Sequence, residues 1–273
     1  IGSGLVGSEM CIRDRLKTII RNDRLDTYDK YIKYALSKGY EVGTLEGMYN
    51  NRQSTEKYLA LRHDVDYITL ATKKMFEHEK KIGVKSTYYF RKTTLDIDLI
   101  KEMEAAGFEV GFHFETIADY VIENNLEKLG EEDLQKCKER LKAEIEEQKK
   151  IYKLRSICSH GAPENVKIGV SNNVLTEGED YSYYGILFEA YDKDMYRNVD
   201  VHIMDDNIRH GSGFAYASNP IDAINSDAKK IVFLSHPNHW YETFKDKLYN
   251  LICIVLGKYY NESKREFKRI ASI

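Results

Sequence analysis

The chain has little proline and almost no tryptophan, three and one in 273 residues. Its four cysteines, Cys11, Cys137, Cys158 and Cys253, form no C-x-x-C pair. That spacing offers neither a Cys-rich zinc site nor a disulfide framework, and it fits a reducing compartment. The longest strongly apolar run covers residues 251–256, far short of the roughly 20 residues of a membrane span. No secretory pattern of basic head, apolar stretch and cleavage site is visible. Neither charge sign dominates: 41 Lys+Arg face 44 Asp+Glu, a net charge of -3. A dedicated nucleic-acid binder would show a basic excess. Low-complexity tracts are absent and 12% of residues are aromatic, which excludes a mainly disordered chain. These absences together predict a soluble, cytoplasmic protein with no nucleic-acid partner and no membrane span.

What is present suits one large folded unit. Residues 1–15, IGSGLVGSEMCIRDR, resemble translated sequencing-adapter read-through and are set aside as non-native. Residues 16–273 are expected to form a single barrel domain with an N-terminal and a C-terminal helix. Asp26 and Thr27 suit a helix cap before Tyr28, Tyr31, Ile32 and Ala35, and Gly39 suits its stop. Strand formers gather at 58–61, 86–90, 108–114, 156–159, 184–190, 201–204 and 230–234, with helical patterns at 98–106, 131–152 and from about 241. Alternation of the two types predicts an α/β fold with parallel strands, either a barrel or an open doubly wound sheet.

Four of these strands end in a polar cluster that contains histidine: LALRHDVD, EVGFHFE, SICSHGAP and VFLSHPNHW. In a β/α barrel the carboxyl ends of the strands meet on one face, where catalytic groups collect. Strand alternation puts Arg62, Asp64 and Asp66 on one side, and His113 with Glu115 on one side of theirs. His63 then points the other way and reads as structural. Carboxylates mixed with imidazoles suit zinc, nickel, cobalt or iron, zinc first among them, whereas an all-oxygen set would suit magnesium. A cation with an open position, a neighbouring carboxylate base and a histidine acid make a metal-assisted hydrolase.

Arg62-His-Asp-Val-Asp66 resembles the first motif of the polysaccharide deacetylases (carbohydrate esterase family 4) in an RHDVD form. Gly111-Phe-His-Phe-Glu115 is similar to the start of the second motif, Leu234-Ser-His-Pro237 to the last, and the stretch from His202 to Arg209 to a D-x-x-x-R region. The resemblance runs from about Tyr40 to Trp240. It implies a distorted (β/α)7 barrel and metal-dependent removal of an acetyl group, as amide or ester, from a saccharide or sugar conjugate. The relatives with this motif place such a step in surface-polysaccharide assembly. Carried across, Asp64 is the general base, Asp66 and His113 are metal ligands, and His236 is the general acid.

Two departures stand out. The family's second histidine falls on Ile117, which cannot coordinate, so the third ligand is expected from elsewhere, with His160 or Glu115 as the candidates. The third motif's base-orienting arginine has no counterpart in 156–163, which leaves Arg62 or Arg209 for that task. Trp240 either borders the sugar pocket or packs in the core. Two further functions compete. Asp64-Val-Asp66 after an apolar strand also resembles the D-x-D of magnesium-dependent haloacid dehalogenase-type phosphohydrolases, with Asp205-Asp206 as a later acidic pair. The missing histidine and arginine also suit a catalytically inactive saccharide-binding relative.

Overall fold

The computed structural model describes residues 21–67, 70–205, 214, 219–246, 248 and 252. The segment 1–15 and Arg209 lie outside them.

The elements run β1 (Arg21–Asp23), α1 (Leu25–Ser37), β2 (Glu41–Gly43), α2 (Leu45–Asn50), β3 (Tyr58–Val65), α3 (Leu70–Ile82), β4 (Thr87–Phe90), α4 (Ile97–Ala105), β5 (Glu109–Phe114), α5 (Thr116–Asn124), α6 (Glu131–Lys149) and β6 (Ser156–Ser159). Then follow α7 (Pro163–Ile168), β7 (Phe188–Glu189), α8 (Lys193–Tyr196), β8 (Val201–Met204), α9 (Pro220–Asn225), β9 (Lys230–Ser235), α10 (Pro237–Trp240) and β10 (Tyr241–Thr243). Seven strands lie in the order β7-β6-β5-β4-β3-β9-β8, all parallel. Strand β2 pairs with the first half of β3, on the edge that β4 takes over at Arg62. Among the described residues no pairing joins β7 to β8, so this is a distorted (β/α)7 barrel, open on one side.

The curvature is visible in side-chain contacts. Strands β3 and β6 are three steps apart, about 14 Å in a flat sheet. Yet Arg62 Nη2 donates to Cys158 Sγ at 2.8 Å, and that sulfur is 4.0 Å from Asp64 Oδ2. Only a curled sheet brings them together. Odd-numbered residues of β3 pack outward with the helices, in a cluster that includes Leu59, Leu61, Val65, Tyr88, Phe112, Ile157, Phe233 and Trp240. Even-numbered ones point inward, where Tyr58 and Ala60 meet Tyr89, Cys158, Phe188 and Val232. Leu45 and Met48 of α2 join that inner cluster and plug the end opposite the polar loops. Gly111 makes room inside: a Cβ there would lie 2.3 Å from the Tyr89 ring and 2.9 Å from Ser156 O.

Several boundaries differ from the sequence reading. Helix α1 begins at Leu25, so Asp26 sits in its first turn rather than at the cap, while Gly39 stops it at φ +80°. Helix α6 ends at Lys149, and Tyr152 is buried beyond it. Only Phe188–Glu189 of the expected strand at 184–190 is extended, because Gly185 turns the chain at φ +61° after a short 3-10 helix. Tyr241–Thr243 is not the start of a helix; it pairs antiparallel with Arg21–Asp23. Helix α5, which the periodicity did not reveal, starts at Thr116 directly after β5.

Candidate active site

Because the seven strands are parallel, their carboxyl ends open on one face, and the polar clusters gather there. Asp64 and Asp66 come from β3, His113 from β5, His160 from the turn after β6, and His236 from the turn after β9. His63, between Arg62 and Asp64, points outward into a separate buried network, where its Nε2 donates to Glu79 and its Nδ1 meets the Ser235 hydroxyl.

Three acceptor atoms converge. Asp66 Oδ1 lies 3.4 Å from His113 Nε2 and 3.7 Å from His160 Nε2. The opposite ring nitrogens fix the tautomers. His113 Nδ1 is 3.0 Å from the carbonyl of Cys158, which can only accept, so Nδ1 carries the hydrogen. His160 Nδ1 faces Glu115 Oε2 at 3.1 Å and donates to it. In the neutral rings, the form that holds a metal, both Nε2 lone pairs aim at Asp66 Oδ1, an oxygen buried with no hydrogen-bond partner; without a metal, the raised pKa of His113 favours a proton on its Nε2 in the cation's stead. An orphaned buried oxygen facing two imidazole lone pairs is an arrangement that a cation satisfies. The three donor atoms lie within 4.8 Å of one another. Electrostatics agree: burial opposes a charge on His113, but Asp64 and Asp66 outweigh it and raise its pKa, so the site attracts positive charge. Burial likewise opposes ionisation of Asp66, and the three surrounding histidines overcome it. This N2O set suits the borderline transition metals better than magnesium.

Asp64 stands beside this cluster. Arg62 donates to both its oxygens, Nε to Oδ1 at 2.9 Å and Nη2 to Oδ2 at 2.8 Å, with both residues fully buried. Burial works against the carboxylate, but the Arg62 charge prevails and keeps its pKa below the ordinary range. The guanidinium is itself covered by the Tyr191 ring, 4.3 Å from its centroid. Arg62 is thus the arginine that holds Asp64 among the described residues; Arg209, the other candidate, lies outside them.

On the other side, His236 Nδ1 is 2.7 Å from Asp205 Oδ1, and the His236 backbone N–H donates to Asp205 Oδ2 at 2.8 Å. Its Nε2 faces the cluster, 3.7 Å from Asp66 Oδ2. Burial alone would lower the imidazole; the Asp205 hydrogen bond and charge, with Asp66 and Asp64, raise it to about 9. A proton therefore sits on His236 at neutral pH.

Trp240 requires a correction. It is fully buried, packed edge-on against Tyr28 and Phe233, and its Nε1 donates to Asp205 Oδ2 at 2.8 Å. A ring with no exposed face cannot stack on a saccharide. The aromatic residue at the opening is Tyr67, 36% exposed, on a cleft of about 620 Å³ that also reaches Asp66, Arg91, Glu115 and His160. Glu115 is not poised as a ligand either: Arg91 binds both its oxygens and His160 takes the remaining direction.

The sequence reading missed Arg91 and the role of Asp205. Both are the first residue after a strand, β4 and β8, as His160 is after β6 and His236 after β9. Following every strand end, rather than those with histidine, finds them.

No family model matches the sequence, and no curated protein is significantly similar to it. Among solved structures, the fold is similar to a CE4 family pseudoenzyme from Bacillus anthracis, at 17% identity and a TM-score of 0.34, over 67% of this chain and 55% of that one. A mutant of that pseudoenzyme with restored enzymatic activity gives 14% and 0.36, over 67% and 57%. The Xyl-CE4 domain of a multidomain xylanase from the hindgut metagenome of Trinervitermes trinervoides gives 13% and 0.36, over 66% and 74%. The chain thus spans little more than half the length of the pseudoenzyme structures. These likenesses concern the fold; the site assignments rest on the geometry above.

Proposed function

We propose that this protein is a metal-dependent hydrolase that removes an acetyl group from a saccharide or sugar conjugate. The observation that carries the reading is the convergence of Asp66 Oδ1, His113 Nε2 and His160 Nε2 between a tethered carboxylate and a tethered imidazolium. Asp66, His113 and His160 would hold a divalent cation, zinc first among the candidates, which when bound supplies Lewis acidity to an acyl carbonyl and to water. Asp64 is the general base, held ionised and oriented by Arg62 so that its Oδ2 looks toward the cluster. His236 is the general acid: Asp205 fixes its Nδ1–H and leaves its Nε2–H to protonate the departing amine or alcohol. The cleft lined by Tyr67 and Arg91 is the place for the sugar.

The phosphohydrolase alternative needs Asp64 as a free nucleophile and Asp205 beside the same cation. The Asp205 oxygens are instead taken by His236 and Trp240. That chemistry also leaves His113 and His160 without a task.

The test joins metal content to turnover. Wild type is expected to bind one transition-metal ion and to release acetate from N-acetylated saccharides. Asp66→Ala and His113→Ala should lose the metal; Asp64→Asn should keep it and lose acetate release. Stoichiometric metal surviving both ligand substitutions overturns the site. Metal without any acetate release points instead to a saccharide-binding relative.

A further inference from the structure

Arg91 supplies no atom to the three-donor cluster, yet its side chain joins two of the segments that do. Its Nη1 donates to the backbone carbonyl of Asp66 at 3.0 Å. Its Nη2 donates to Glu115 Oε1 and Oε2 at 2.9 and 2.7 Å. Glu115 Oε2 then accepts from His160 Nδ1, and His160 Nε2 returns to Asp66 Oδ1. Arg91, Glu115, His160 and Asp66 therefore form a closed ring of polar contacts. The loop that carries Arg91 is anchored as well: its N–H donates to Thr94 Oγ1, and that hydroxyl donates to Val65 O at the end of β3.

Glu115 is a carboxylate in a site built for a cation, and an oxygen donor competes with an imidazole for the same position. Arg91 prevents this: a carboxylate gripped at both oxygens by one guanidinium keeps a single direction, and that direction is the His160 ring. From the main-chain side, Asn172 Nδ2 donates to His160 O at 2.7 Å while its Oδ1 accepts the Ile117 N–H. The helix that carries Ile117 is thereby tied to the His160 turn but contributes no ligand of its own.

We propose that Arg91 is a positioning residue that holds Glu115 out of direct coordination and so makes His160, a nitrogen donor, the third metal ligand. This rests on the metal-dependent reading above. Outer partners of this kind tune both affinity and choice of metal. Releasing Glu115 would exchange nitrogen for oxygen at the site and move its preference from zinc toward manganese and magnesium.

The test is the affinity of the purified, metal-stripped full chain for Zn²⁺ and for Mn²⁺, by chelator competition, with visible spectra of the Co²⁺-loaded protein. In Arg91→Met, Zn²⁺ binding is expected to weaken about 10–100-fold, the Zn²⁺-over-Mn²⁺ ratio to shrink, and the Co²⁺ spectrum to change. Glu115→Gln removes the competing carboxylate, so added to Arg91→Met it should return the Zn²⁺-over-Mn²⁺ ratio toward wild type, and Arg91→Lys decides the matter should Arg91→Met fail to fold. Arg91→Lys, which cannot bind both oxygens in plane, should restore only part of the loss. Zn²⁺ affinity within about twofold of wild type in a folded Arg91→Met protein, when His160→Ala has lost it, overturns the role of Arg91. A wild type that binds no Zn²⁺, Mn²⁺ or Co²⁺ overturns the metal reading itself, which the other variants cannot mimic.

Discussion

His236 and Asp205 end neighbouring parallel strands, and their side chains meet at 2.7 Å between Nδ1 and Oδ1. The carboxylate also accepts from the His236 backbone and from Trp240. One buried aspartate thus sets the tautomer, the ring plane and the charge of the residue assigned as acid.

The pair makes stability depend on pH in a defined window. The folded pKa of His236, about 9, lies above the ordinary histidine value of about 6.5. Its contribution is therefore complete below about 6.5 and lost as pH rises through about 9. Asp205 shifts downward: burial opposes its ionisation, but His236 and His239 prevail. Its contribution is present above the ordinary aspartate value of about 3.9 and lost as pH falls below it. In metal-free protein, the difference in melting temperature between wild type and Asp205→Asn should be largest between these limits and shrink above pH 9. A difference that grows toward alkaline pH contradicts the assignment.

Arg62 and Asp64 form an ion pair with side chains only 2% and 4% exposed. Removing one partner strands a charge, so Arg62→Met should cost about 3–5 kcal/mol in urea unfolding. The double variant Arg62→Met/Asp64→Leu should recover much of that loss while remaining inactive. Equal destabilisation in the single and double variants would show that Arg62 acts by packing instead.

Gly111→Ala should destabilise the barrel by about 1–3 kcal/mol, the usual cost of overpacking a core. The added carbon meets the Tyr89 ring and the backbone oxygen of Ser156, and only the first can move aside. Adding Tyr89→Leu should return part of the stability, and unfolding midpoints measure both. No loss in the single variant would mean that the inner layer is loosely packed.

Trp240→Phe should lower the melting temperature, since Asp205 loses a donor and the aromatic core loses volume. Tyr67→Ala should instead raise KM for saccharides with little change in melting temperature, because Tyr67 stands at the cleft opening. Saccharide affinity that follows Trp240 and ignores Tyr67 would reverse this division of labour.

Much of the site was legible in the chain because strand geometry is local. Alternation puts Asp64 and Asp66 on one side and His63 on the other. The structure keeps that division: His63 bonds to Glu79 and Ser235 on the helix side. The strong apolar runs at β3, β5 and β9 announced strands for the same reason. Helix α5 and β2 were not announced; their short apolar patterns acquire meaning only against the neighbours that cover them.

Which residues carry chemistry, and that parallel strands deliver them to one end, follows from residue type and from a two-residue repeat. How those residues divide their roles does not, because most of the partners that fix them lie far away in the chain. His160 is directed by Glu115 and Arg91, His236 by Asp205, and Asp64 by Arg62, whose guanidinium is positioned among Cys158 and Tyr191. Trp240 lies four residues after His236, yet packing turns it away from the site. Hydrogen bonds of about 3 Å between strands several places apart depend on how the sheet curls, and that curvature is a property of the whole assembled barrel.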